Sequence, residues 1–236
     1  EWLLGLTNVN SHNQRITKTF GSSGRANYME AKSGADMFDF PGQAAQAASR
    51  QAHYVTVLMG HNDVCQDRFV DIPSEKEFES NFRAGLEKLK EKLPVGATVY
   101  VVGIVDIYRL WESARDKKAL GIVDCEVLWA TTLLKLFPCG TMLNPLIGEA
   151  GRQYTRNRIV GNPPYFEGFN PILRRVTETY NAADPNHRYV YTPAAFECKF
   201  GERHVSDIDC FHPSAYGQKT LSEITWNPAL FAGCTK

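Results

Sequence analysis

Asp209-Cys210-Phe211-His212 places an imidazole three residues after a carboxylate, just before a predicted helix start at Ser214. At that spacing the carboxylate accepts a hydrogen bond from one ring nitrogen, and the other nitrogen is left to take a proton from a nucleophile. A second group, Gly60-His61-Asn62-Asp63, stands far upstream at the end of an apolar run. A third, Ser33-Gly34-Ala35, closes the segment Asn27 to Ala35. A lone histidine would say little; a histidine with a fixed carboxylate is the core of a general base.

The elements around these groups follow from hydrophobic period. Tyr54 to Met59 (YVTVLM) reads as a buried strand ended by Gly60. Ser74 and Glu77 form a capping box that starts a helix over 75–93. Phe78, Phe82, Leu86, Leu89 and Leu93 make one apolar stripe on it. Thr98 to Val105 is a second buried strand, and Arg188 to Thr192 a third. Further helices are predicted over 166–182 and 214–224, and the apolar stretch Val123 to Phe137 also reads as helical. Continuous apolar strands alternating with amphipathic helices predict an α/β fold, a three-layer α/β/α arrangement around a mostly parallel sheet. Sites in such sheets lie at the carboxyl ends of the strands. Gly60 to Asp63 and Asp209 to His212 are therefore expected on one edge.

The 236 residues are 43% hydrophobic and 22% charged, enough for one sizeable core, and a single domain over 1–236 is expected. Lysines plus arginines number 26, as do the acids, and no long basic run occurs, so no nucleic-acid partner is indicated. No apolar stretch is long enough for a transmembrane segment. His12, His53, His187 and His204 have no ligand spacing, and no metal or other cofactor is expected.

Six cysteines, Cys65, Cys125, Cys139, Cys198, Cys210 and Cys234, contain no C-x-x-C pair. Their scatter predicts structural disulfides and a secreted or extracytoplasmic protein, the alternative being six buried thiols. Cys198–Cys210 is the favoured pairing, because it would tie the loop before Asp209 to the preceding strand. The chain opens at Glu1 rather than Met, as a processed product does, which is compatible with secretion.

The three groups in this order resemble the second, third and fifth conserved blocks of the SGNH, or GDSL-type, hydrolases. Val55 to Cys65 (VTVLMGHNDVC) and Asp209 through Trp226-Asn227 are similar to the phospholipase B branch and related secreted bacterial lipases and esterases. The resemblance implies a flavodoxin-like SGNH fold. It implies His212 as general base, Asp209 as its orienting carboxylate, and Asn62 and Gly34 as oxyanion-hole donors. Fixed donors around a developing oxyanion are worth several kcal/mol in acyl transfer, and a glycine lets substrate approach the backbone.

The family's nucleophile is a Ser in a Gly-Asp-Ser-Leu-like block at the end of the first strand. No Gly-Asp-Ser occurs here, and residues 1–25 look like what normally follows that block. Ser11, Ser22, Ser23 and Ser33 are the nearby hydroxyls, and Gly21-Ser22-Ser23-Gly24 reads as a loop without a preceding apolar strand. The expectation is a domain incomplete at its N-terminus. An upstream segment, or a separate N-terminal peptide, would supply both the first strand and the serine, since the sheet without that strand exposes edges.

The resulting reading is a carboxylic ester hydrolase acting on lipid acyl esters, of lipase, phospholipase or esterase type. The alternatives are a serine-less binding protein of the same fold and an acetyl esterase acting on carbohydrate. Val127 to Phe137, with Leu143, Leu146 and Ile147, would line an acyl groove or lid, or simply pack as helix. His61 is read as a site-wall residue and Asp63 as fixing its turn through local hydrogen bonds. Asp106 and Arg109 are candidates for the pocket wall.

Overall fold

The computed structural model describes residues 9–21, 26–134 and 137–227. Three parallel strands form its main sheet: β1 (Tyr54–Val57), β2 (Thr98–Val102) and β5 (Arg188–Thr192), in the order β1-β2-β5. Tyr54 pairs with Thr98, and Thr98 with Arg188, so the strands start level and end on one edge. The three predicted strands are all present; β1 and β2 are shorter than their apolar runs, and β5 has the expected bounds.

Every residue of β2 is buried, and its side chains alternate between two cores. Val99 and Val101 face a large cluster built from α2 (Phe40–Ser49), α4 (Glu75–Lys92) and α9 (Phe169–Ala183). Tyr100 and Val102 face a smaller one, with Ile16 and Phe20 of α1 (His12–Phe20), Ala195 of α10 (Ala194–Glu197) and Leu221 of α11 (Ala215–Thr225). These are the three layers that the hydrophobic period predicts.

The α4 capping box forms as the sequence requires. Ser74 Oγ accepts from Glu77 N at 3.2 Å, and Ser74 N donates to Glu77 Oε2 at 2.9 Å. Phe78, Phe82, Leu86 and Leu89 are fully buried, and Phe78 stacks on Phe169 at 4.1 Å between ring centroids. The stripe thus locks α4 and α9 together beneath the sheet.

The segment 123–137 departs from its sequence reading. It holds β4 (Val123–Asp124), which pairs with β3 (Lys118–Ala119) in a hairpin, then α6 (Cys125–Ala130) and a 3-10 turn over Thr131–Leu134. The hairpin takes the first two residues of the supposed helix. α5 (Ile107–Ala114) and α8 (Gly148–Val160) lie to either side in sequence, with the single turn α7 (Gly140–Leu143) between α6 and α8. No helix among the described residues is long and apolar enough to cross a membrane.

Candidate active site

Asn62 sits on α3 (His61–Val64), the turn of helix that follows β1. Gly60 makes the approach possible. Its φ is +104°, and a Cβ there would stand 2.5 Å from Ile104 Cδ1, so no other residue fits without displacement. The side-chain amide of Asn62 donates to the carbonyl of Ala35 at 2.7 Å, and Asp63 Oδ2 accepts from Met37 N at 2.9 Å. Two consecutive residues therefore pin the turn that holds Gly34. That glycine has φ +77° and is exposed, and a Cβ there would stand in open space.

Asp63 is thus more than a local turn-former, since its partner lies 26 residues away. Burial pushes its carboxyl up to about 7, and neighbouring Asp36 and Asp39 add to the rise that the Met37 N–H opposes. His61 is structural in the way its neighbours suggest. Its Nε2 accepts from Val105 N at 3.0 Å, joining the ends of β1 and β2, and burial pushes the ring down to about 4. It is neutral at pH 7.

Asp209 and His212 lie downstream of β5, in the loop between the 3-10 turn Glu202–His204 and α11. His212 Nδ1 is 2.7 Å from Asp209 Oδ2, while Asp209 Oδ1 accepts from the backbone N–H of Phe211 (3.0 Å) and of His212 (3.1 Å). The carboxylate is half-buried and the imidazole side chain 68% exposed. Partial burial works to raise the Asp209 pKa, but the His212 ring and the two amides outweigh it and hold the group at about 2. The same hydrogen bond to Asp209 raises His212 above the ordinary imidazole value, against a smaller effect of burial. Nε2 makes no hydrogen bond among the described residues.

The loop is fixed from several directions. Ser206 N donates to His212 O (2.8 Å) and Ser214 N to His204 O (2.8 Å), which closes it at its base. Cys210, at φ +55°, is buried and disulfide-bonded to Cys125 at the start of α6. Trp129 Nε1 donates to Cys210 O at 3.2 Å. The buried Lys117 ammonium reaches Asp207 Oδ1 (2.7 Å) and the carbonyls of Val205 (2.7 Å) and Glu202 (3.1 Å). Phe211 meets the His212 ring at 5.0 Å and Phe137 at 5.7 Å, both edge to face.

The disulfide pattern corrects the expected Cys198–Cys210 pairing. Cys210 bonds to Cys125, Cys65 bonds to Cys139, and Cys198 has no disulfide partner among the described residues. The reason is the loop geometry: Cys210 points inward to α6, beneath Trp129, rather than back toward β5. Cys234 lies outside the described residues, as do Ser22 and Ser23.

A family model, GDSL-like Lipase/Acylhydrolase, matches residues 4–224. The chain belongs to this family. As a family member it is an ester hydrolase in general type, and its α/β layers with a parallel sheet are the fold the family implies. No curated protein matches the chain.

Within this GDSL-like chain the structure joins the four sequence-singled residues as two pairs. Asn62 and the Gly34 turn share one hydrogen bond, and Asp209 and His212 share another. The pairs are linked indirectly. Cys65, three residues after Asn62, is bonded to Cys139, and Phe137, two residues before Cys139, packs on Phe211. Asp106 is a buried partner of Arg156, which grips it at 2.8–3.2 Å, with Arg109 at 4.0 Å. It braces the end of β2 rather than presenting a free carboxylate. Of the hydroxyls, Ser11 caps α1 by accepting from Gln14 N, and Ser33 is exposed beside Gly34. Lys117 and Trp129, which hold the His212 loop, carry no local spacing that sequence reasoning could use; only the even number of cysteines hinted at such bracing.

Proposed function

We propose that this chain carries the base, the orienting carboxylate and the oxyanion donors of a serine hydrolase that cleaves lipid acyl esters. The observation that carries the reading is the 2.7 Å His212 Nδ1–Asp209 Oδ2 hydrogen bond beside an outward-facing Nε2. In this mechanism a serine hydroxyl gives its proton to His212 Nε2 as its oxygen attacks the ester carbonyl. Asp209 stabilises the resulting imidazolium and fixes the ring. The carbonyl oxygen, now an alkoxide, takes N–H donation from the Gly34 backbone and the Asn62 amide. Collapse of this intermediate expels the alcohol, which receives the proton from His212. Water, deprotonated by the same ring, then releases the acid from the acyl-enzyme.

The serine in this reading lies outside residues 1–236, on a strand that joins the sheet beside β1. Two observations support it. No Gly-Asp-Ser stands in the sequence. Thr56, on the face of β1 that Tyr54 shares with α1, and Leu58, just beyond the strand, are exposed rather than covered. Two disulfides support secretion. A lipid substrate is favoured by the outward aliphatics of the 123–134 segment, where Val127 and Leu133 are exposed while Trp129 is buried.

The test is hydrolysis of a p-nitrophenyl ester series by the native protein. Turnover that persists from butyrate to palmitate supports the lipid reading. Cleavage confined to acetate indicates the carbohydrate acetyl esterase instead, and no cleavage of any ester overturns both.

A further inference from the structure

The β3–β4 hairpin stands directly beside the loop of Asp209 and His212, because Leu120 N donates to Asp207 O at 2.6 Å. Its tip is unusual in composition. Ile122 N bonds back to Ala119 O, and the two residues between, Leu120 and Gly121, have φ +51° and +73°. Such a turn favours asparagine or glycine at its first central position. A leucine there is held in left-handed backbone, at a conformational cost that a packed side chain would have to justify. Leu120 is not packed: it is 68% exposed, and Ile122 is 77% exposed. Ile208, next to the Asp207 carbonyl that binds the hairpin, is 66% exposed. Three exposed branched aliphatics thus lie on two hydrogen-bonded segments beside the loop of Asp209 and His212.

The charges around them cancel in pairs. Lys118 meets Asp124 across the hairpin at 3.5 Å, Lys117 meets Asp207 at 2.7 Å, and Arg115 lies 3.5 Å from Asp116. No basic excess borders the tip, so an anionic surface would gain nothing from it, whereas a surface without net charge would meet no repulsion. We propose that the hairpin tip, with Ile208, docks the protein on a zwitterionic phospholipid surface and so brings the site to its substrate. The inference rests on the lipid-ester reading of that site and names where it works.

The experiment measures co-sedimentation of the native protein with vesicles of dialkyl ether phosphatidylcholine, which contain no ester to cleave, so failure to hydrolyse and failure to dock are separate results. The native protein is expected to partition onto them equally at 0.1 and 1 M NaCl. Leu120→Ser/Ile122→Ser is expected to lose at least tenfold in partition coefficient. Val95→Ser removes an equally exposed aliphatic from the turn at the opposite sheet edge and is expected to change nothing. If the double variant misfolds, Leu120→Gly serves: glycine suits the backbone there, so thermal stability should hold while binding falls severalfold. Vesicle binding that is absent in the native protein, or unchanged in these tip variants, overturns the proposal. So does binding confined to phosphatidylglycerol and abolished by salt, or light scattering that shows a dimer which Leu120→Ser/Ile122→Ser converts to monomer.

Discussion

The Asn62 side-chain amide donates to the Ala35 carbonyl at 2.7 Å, so the helical turn after β1 and the turn holding Gly34 are one hydrogen-bonded unit. Each proposed oxyanion donor depends on the other's position. Asn62→Ala removes one donor and loosens the second. A loss of about 10²–10³-fold in kcat, with KM little changed, is expected from the worth of one such donor. Steady-state kinetics on p-nitrophenyl butyrate checks this; a change in KM alone would mean that Asn62 only binds substrate.

Asp209→Asn tests the pairing with His212. The Asp209 hydrogen bond raises the imidazole pKa, and a general base works only when neutral. Activity of the native protein therefore falls as pH drops through that raised value. In the variant the acidic limb should move to lower pH, while kcat drops about 10²–10⁴-fold because the ring is no longer oriented. An acidic limb that stays in place would separate Asp209 from the base.

Asp63 makes a prediction about stability. Its carboxyl rises from the ordinary 3.8 to about 7 on folding, so the folded protein holds a proton that the unfolded chain has released. Stability attributable to this group is therefore highest below about pH 4 and declines as pH climbs to 7. Asp63→Asn removes the decline. Its stability relative to the native protein should improve by about 2 kcal/mol between pH 5 and pH 8 in urea titrations. His61, shifted down to about 4, acts in the opposite sense below pH 6.5 but is common to both proteins. An equal difference at both pH values would show that Asp63 ionises as freely folded as unfolded.

The bond between Cys125 and Cys210 closes a sequence separation of 85 residues and anchors the residue next to Asp209. Cys125→Ala/Cys210→Ala should lower the unfolding free energy by about 2–4 kcal/mol. Activity should fall as well, because the loop loses its inward anchor. An unchanged urea midpoint would mean that Trp129 and Lys117 hold the loop by themselves.

What the sequence revealed and what it hid have physical causes. β2 was legible because burial on both faces enforces a continuous apolar run, β1 and β5 because β-branched and aromatic residues dominate them, and α4 because a Ser-x-x-Glu cap marks a helix start wherever it occurs. The Asp209–His212 contact was legible because it is local. The mate of Cys210 was not, since disulfides join residues by position in space, and Cys125 belongs to a segment whose apolar content mimicked one long helix. The hairpin 118–124 overlaps that stretch only at Val123 and Asp124 and was hidden for another reason: two-residue strands are too short to show a period, and its Leu-Gly turn lacks the usual Asn-Gly signature. Arg156 on Asp106 and Met37 on Asp63 were likewise invisible, being contacts between distant segments.

The central claim is that His212 and Asp209 activate a serine. Fluorophosphonate labelling of the native protein, with the adduct located by peptide mass spectrometry, tests it most directly, because only an activated serine reacts. One adduct is predicted, on a serine outside residues 1–236, and it should vanish in His212→Ala while the thermal melt is unchanged. An adduct that persists in His212→Ala, or one on Ser11, Ser22, Ser23 or Ser33, would contradict the account.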